Sequence, residues 1–148
     1  MKDKITNRGI TIIELLLVIS ITTILSAASV PIASNFLVRN YFRDGKDNLV
    51  SQLYTAKINS MTNKENSPWG VNTSAHQITV FKGTSYATRD TAFDRSFDTP
   101  NSITISSNEI IFAQHSGNLT SATSITVNSN LNESNTVNVN LVGNIDVN

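Results

Sequence analysis

The sequence predicts an α+β fold in which a long amino-terminal helix packs its distal half on the antiparallel β-sheet of a head domain. The stretch Ile10–Ile32 is almost entirely apolar or small, and apolar residues recur at helical spacing between Phe42 and Ala56. From Trp69 onward, apolar residues alternate with Thr, Ser and Asn, as half-buried strands require. With 148 residues, 39% of them hydrophobic, the chain can bury one ordinary core. We expect a leader peptide (1–9), an apolar helix half (10–33), an amphipathic helix half (34–62) and a β-rich head (68–148).

The amino terminus predicts a membrane anchor. Residues 1–8 contain Lys2, Lys4 and Arg8 against one acid, and no charged residue lies between Glu14 and Arg39. About 20 apolar residues span the hydrocarbon layer as a helix, and basic flanks tend to stay in the cytoplasm. We therefore expect a single pass through the cytoplasmic (inner) membrane with the head outside.

Glu14 is the exceptional residue of this apolar stretch. A carboxylate within a spanning helix costs about 2.5–3.5 kcal/mol unless it finds a partner. Cleavage between Gly9 and Ile10 would create an α-ammonium group four residues before Glu14, about one helical turn away. That ammonium, on the same helix or on a neighbouring one, would pair with the acid and set the axial register between subunits.

One segment, Arg8–Ile19 (RGITIIELLLVI), resembles the processing motif of type IV prepilins and pseudopilins. The resemblance implies cleavage after Gly9 by a prepilin peptidase, N-methylation of Ile10, and a role for Glu14 in recruiting and aligning the subunit. Pro31 stands where many pilins carry a proline, and proline favours a helix kink. The family usually has Phe at the first mature position, where this chain has Ile10. That substitution keeps the apolar character.

Two simpler interpretations compete with this one. The first is an ordinary secretory signal peptide cut near Ser26, and the second is a plain signal anchor with an accidental acid. An acid five residues into the apolar region suits a signal peptide poorly, and the apolar run continues past the supposed cut. The spacing of Gly9 and Glu14 argues against the plain anchor.

The second helix half is predicted to be amphipathic. Its apolar face contains Phe42, Leu49, Leu53 and Ala56, and we expect this face to pack on the sheet of the same subunit. The segment from Asn63 to Pro68 is predicted to terminate the helix, so we expect the helix to end near Met61.

The head is predicted to consist of short strands. They are centred on Ile78 and Val80, Ile103 and Ile105, Ile125 and Val127, Val137 to Leu141, and Ile145 and Val147. The dense apolar run Ile110–Phe112 predicts a central strand. Residues 87–101 are polar and alternate poorly, so we expect a surface loop there. The sequence leaves open whether Gly143 ends a strand or forms a β-bulge within it.

The head also resembles minor pseudopilins of the GspH/FimT group. The resemblance lies in Trp69 to Val71, in Phe112 to Thr120, and in the closing Val139 to Ile145. It implies a minor pilin or pseudopilin of a type IV pilus or a type II secretion pseudopilus, which ends in a periplasmic or extracellular filament. The implied partners are other pilin or pseudopilin subunits, the prepilin peptidase, the inner-membrane assembly platform, and membrane lipid before assembly.

Residues for catalysis or metal binding are sparse. The chain has no cysteine, and its two histidines, His76 and His115, lie outside metal-ligand spacing of each other. Ser116 follows His115 without the acid and oxyanion hole that a catalytic triad needs, and no phosphate-binding loop is present. We expect no enzymatic activity, no cofactor and no metal.

DNA binding is the alternative function. Some FimT-like pilins are implicated in DNA uptake for natural transformation through a carboxy-terminal segment that contains arginines. This chain has Val142 to Val147 there, and no Lys or Arg follows Ile103. Because affinity for nucleic acid rests chiefly on cations that neutralise phosphates, the composition disfavours nucleic acid as a partner.

Overall fold

The computed structural model describes residues 9–148, with side chains described for residues 9–27 and 33–148. The chain divides into two compact units, Met1–Phe36 and Leu37–Asn148. Most of the predicted leader peptide, residues 1–8, lies outside the described residues.

The helix α1 is assigned over Ile12–Met61, and its residues fall in both units. Within α1, side chains are described for residues 12–27 and for residues 33–61, which are stretches of about 16 and 29 residues. The helix ends at Met61, ahead of the short 3-10 turn Lys64–Asn66. Asn63, Glu65 and Asn66 have positive φ angles. This left-handed backbone cannot continue a right-handed helix.

Eight strands form two antiparallel sheets in the second unit. They are β1 Trp69–Ser74, β2 Gln77–Lys82, β3 Asp90–Asp98, β4 Ile103–Ile105, β5 Asn108–Phe112, β6 Thr123–Ser129, β7 Ser134–Val139 and β8 Ile145–Val147. Sheet A has the strand order β3-β2-β1-β5, and sheet B has the order β4-β6-β7-β8. Each sheet therefore has four strands.

One hydrophobic core joins both sheets to the second helix half. The four predicted positions of the amphipathic face, Phe42, Leu49, Leu53 and Ala56, are all buried in it. Sheet A adds residues such as Val71 and Ile110, and sheet B adds residues such as Ile125 and Val137. The core thus depends on alternate residues of both sheets, as period-two strands supply them.

The predicted fold class needs correction. The α+β character holds, but the prediction of a long helix packed on one antiparallel sheet is wrong. The head contains two sheets, and only helical residues from Leu37 onward belong to the unit that contains them. Alternation with period two identifies a half-buried strand, but it does not say which sheet the strand joins. The sequence pattern therefore could not separate the two sheets.

Three predictions within the head were also wrong. Residues 87–101 were expected to form a loop, but they contain β3, the longest strand. Arg95, which is exposed, stands between Phe93 and Phe97 in the alternate series of β3 and interrupts the apolar alternation that identifies a strand. Charged residues are common on edge strands. The run Ile110–Phe112 lies in β5, which is an edge strand of sheet A and not a central one.

The third error concerns the turn between β7 and β8. Leu141 was expected in a strand, but β7 ends at Val139 and Leu141 is exposed. Gly143 has a φ of 75° and lies in the turn, so it neither ends nor bulges a strand. Lys57 Nζ donates a hydrogen bond to the Gly143 carbonyl at 2.9 Å, which ties this turn to the helix.

The predicted membrane localisation is corrected as well. Among the helical residues whose placement is described, none form a helix of the length and apolar character that crossing a membrane requires. A single-pass inner-membrane anchor is therefore not supported.

Two glycines generate a matched stability prediction. A Cβ on Gly70 would lie 2.5 Å from the Phe81 ring and 2.6 Å from the Ile110 carbonyl oxygen, whereas a Cβ on Gly45 would meet only Ile103 Cγ2 at 3.5 Å. Gly70→Ala should lower the free energy of unfolding by about 1–3 kcal/mol through overpacking. Gly45→Ala should raise it by about 0.5–1 kcal/mol, because alanine is the better helix former.

Urea unfolding followed by the fluorescence of Trp69, the single tryptophan, measures both changes. Trp69 is only 3% exposed, so its emission reports directly on the core. A Gly70→Ala protein as stable as the wild type would contradict the packing of Phe81 over β1.

Candidate functional site: an uncovered apolar helix

The start of α1 is fixed by a cap that the sequence analysis missed. Thr11 precedes the helix, and its Oγ1 accepts a hydrogen bond from the Glu14 amide at 3.3 Å. The Leu15 amide donates to the Thr11 carbonyl at 3.1 Å. Thr11 is therefore the N-cap and Glu14 stands at the N3 position, which is the sequence pattern of a capping box. The signal was present in the sequence as Thr-Ile-Ile-Glu.

This position gives Glu14 a local role beside the predicted one. An acid in the first turn interacts favourably with the positive end of the helix dipole. In the structure Glu14 is exposed and has no ion-pair partner among the described residues. Its carboxylate is thus available to a cation from outside the helix.

The apolar side chains of residues 10–27 are exposed. The large ones range from 80% exposed at Ile12 to 49% at Ile21, and they lie on all sides of the helix. Monomeric soluble proteins rarely leave contiguous apolar patches of this kind uncovered, so such a patch marks a contact surface.

The hydroxyl groups of this stretch do not interrupt its apolar character. Ser20 donates to the Leu16 carbonyl at 2.7 Å, Thr23 donates to the Ile19 carbonyl at 2.7 Å, and Ser26 donates to the Thr22 carbonyl at 2.7 Å. Thr22 likewise donates to the Val18 carbonyl at 2.9 Å. Because each hydroxyl proton bonds the preceding turn, these residues can be desolvated without losing a hydrogen bond.

The predicted processing residues lie at the open start of this helix. Gly9 and Ile10 precede the helix and are exposed, and a Cβ on Gly9 would meet no atom within 4 Å. Ile10 is 75% exposed. The bond between them is therefore sterically accessible. The predicted kink at Pro31 falls on residues 28–32, whose side chains are outside the described part, and it stays a prediction.

In the head, most charged residues of β3 and the preceding loop have partners: Asp90 pairs with Lys82 of β2, and Asp98 accepts a hydrogen bond from Gln77 of β2. Arg89 Nε donates to Asp94 Oδ2 at 2.8 Å, Arg89 Nη1 donates to the Tyr86 carbonyl at 2.6 Å, and the guanidinium lies 3.7 Å from the centre of the Tyr86 ring. Arg95 is exposed on the edge strand. Arg89 is thus engaged in holding the loop, and no contact within the described part of the chain favours the DNA-binding alternative.

The histidines lie apart from any site. His76 Nδ1 is 2.9 Å from the Ile103 carbonyl oxygen, and His115 lies in a turn with a positive φ angle. Across residues 9–148, no group of three His, Cys, Asp or Glu residues could hold a metal ion.

Comparison with protein-family models, with curated proteins and with solved structures gave no match. Function is therefore inferred from the contacts and the exposed surfaces of this chain.

Proposed function

We propose that this chain is a minor pilin or pseudopilin, a structural subunit that assembles into a filament through residues 10–27 after cleavage behind Gly9. The observation that carries the proposal is the uncovered apolar helix, whose hydroxyls are bonded internally and whose one charged side chain is Glu14. The resemblance of Arg8–Ile19 to prepilin processing motifs supports the same function.

The chemistry of this surface favours helix-to-helix assembly. Covering a Leu, Ile or Val side chain contributes about 1.5–3 kcal/mol, so burying several of them between subunits gives a strong driving force. An aliphatic helix of a neighbouring subunit is a matching partner, because neither surface then has to desolvate an unpaired polar group. The prepilin peptidase and other pilin or pseudopilin subunits are the partners that this function requires.

Glu14 supplies the register of this assembly. Cleavage behind Gly9 leaves an α-ammonium on Ile10, four residues before the carboxylate. N-methylation of that amine keeps its positive charge. Within an apolar contact, pairing between this ammonium and Glu14 of the same or a neighbouring subunit avoids an unpaired buried charge. Contacts that leave the carboxylate unpaired are disfavoured.

Processing can be tested at Gly9. In cells that contain the cognate peptidase, the wild-type chain should lose residues 1–9 and begin with N-methylated Ile10. Gly9→Leu should retain its leader, because a branched side chain replaces hydrogen at the cleaved bond. Intact-mass and amino-terminal peptide measurements distinguish the two products. Gly45→Ala is the matched control and should be processed like the wild type. An intact leader on the wild-type chain would overturn the proposed processing.

The charge of Glu14 can be separated from its capping role. Glutamine keeps the hydrogen-bonding capacity of a capping box but removes the charge. Glu14→Gln should therefore retain the helix start and reduce the amount of subunit in the filament fraction by about tenfold or more, as expected when a buried ion pair loses one partner.

Thr11→Ala is the complementary control, since it removes the cap and keeps the charge. It should weaken the first helical turn by about 1 kcal/mol and leave incorporation near the wild-type level. Circular dichroism and quantification of the subunit in sheared filaments give the two readouts. If Glu14→Gln assembles like the wild type while Thr11→Ala does not, Glu14 acts through the cap and not through charge.

A further inference from the structure

The outer surface of sheet B contains a shallow cleft that the assembly function does not use. Its volume is about 260 Å³. This is slightly below the roughly 300–1,000 Å³ of typical small-molecule sites, which limits an occupant to about one ring. The cleft is lined by Ala122, Thr123, Ser124, Asn138, Val139, Asn140 and Asp146. We propose that it binds one pyranose ring of a neutral carbohydrate.

Three polar side chains cross this cleft in a row. Ser124 of β6 stands opposite Asn138 of β7, and Asn138 stands opposite Asp146 of β8. Directly opposed residues in antiparallel strands have Cβ atoms about 4.5–5.5 Å apart. A hydroxyl, an amide and a carboxylate are thus held at a spacing that adjacent hydroxyl groups of a sugar can bridge.

These side chains are available to a ligand. Among the described residues, none forms a hydrogen bond or ion pair with the side chains of Ser124, Asn138 or Asp146. Asp146 offers only acceptors, whereas Ser124 and Asn138 both donate and accept. Sugar hydroxyls also donate and accept, so each can be satisfied here.

A fourth polar group is fixed in orientation at the end of β7. Asn140 Oδ1 accepts hydrogen bonds from the Val142 amide at 3.0 Å and from the Asn144 amide at 2.9 Å. Both bonds occupy the oxygen, which leaves the Asn140 Nδ2 group as the donor at the cleft. Three of the four polar groups stand on paired strands and the fourth is held by its turn, so the site is largely pre-organised.

Charge and apolar lining select the class of ligand. Asp146 is the one charged residue of the lining, so anions are disfavoured there. A lone carboxylate is also a poor ligand set for a divalent cation, which usually takes six or more oxygens. Ala122 adds apolar surface to the lining, whereas Val139 belongs to the buried core and is only 1% exposed. A pyranose ring matches this mixture, since its C–H face is apolar and its edge is polar.

Saturation-transfer difference NMR on the full chain tests the proposal, because it detects weak binding through the ligand signals. The probes are methyl β-D-glucopyranoside, methyl α-D-mannopyranoside and N-acetyl-D-glucosamine. At least one should receive saturation from the wild-type protein. Asn138→Ala and Asp146→Ala should each weaken its affinity by about tenfold, the effect of losing one good hydrogen bond.

Asn128→Ala is the matched control, since Asn128 is also exposed on β6 and lies four residues from Ser124, outside the cleft. It should leave binding unchanged, and circular dichroism should show that all three variants keep the fold. The proposal is overturned if none of the three sugars receives saturation, or if transfer persists at full strength in both cleft variants. Calcium binding that requires Asp146 in the absence of any sugar transfer would also overturn it. Filament assembly is scored separately, so either outcome leaves the assembly function untouched.

Discussion

The uncovered aliphatic surface of residues 10–27 is the constraint on which the functional account depends. Its helix begins at a capped terminus, and its described hydroxyls bond the preceding turn, so little polar surface competes for water along it. Each large side chain that stays in water forgoes about 1.5–3 kcal/mol. A surface of this kind is expected to be covered by a partner. In the proposed assembly, an aliphatic helix of another subunit covers it without leaving polar groups unpaired.

The second unit does not depend on that partner for its own core. Leu49 and Leu53 of the helix are fully buried together with residues from both sheets. Ser60 links the end of the helix to β1, because its hydroxyl accepts a hydrogen bond from the Trp69 amide at 2.7 Å. Lys57 links the helix to the last turn of sheet B. The head is thus organised around the helix, and its outer surface is free to carry a separate binding site.

The sequence predicts features that depend on neighbouring residues better than features that depend on residues far apart in the chain. The helical spacing of Phe42, Leu49, Leu53 and Ala56 predicted buried positions, because amphipathic periodicity reports directly on burial. The period-two spacing of pairs such as Ile125 and Val127 likewise predicted buried positions within strands. The division into two sheets was not predictable from this pattern, because strand partners are chosen by contacts between residues far apart in the chain.

The errors at β3 and Thr11 have more local causes. In β3, an exposed arginine stands on the same face as Phe93 and Phe97, as an edge strand permits, and this broke the alternation that identifies a strand. At Thr11 the capping pattern is embedded in an apolar run, where Glu14 is also a lone charge among apolar residues, so two interpretations of the same acid were possible. The structure shows that the same acid also stands in the first turn of the helix.

The most direct measurement of the central claim is photo-cross-linking from Val18, which is 52% exposed within the apolar surface. A photoreactive amino acid at this position, in the processed chain recovered from filaments, should cross-link to the apolar amino-terminal helix of another subunit, as identified by mass spectrometry. A probe at Val142, which is 63% exposed in the head, should not reach such a helix. Filament material in which the Val18 probe cross-links to no other subunit would contradict assembly through this surface.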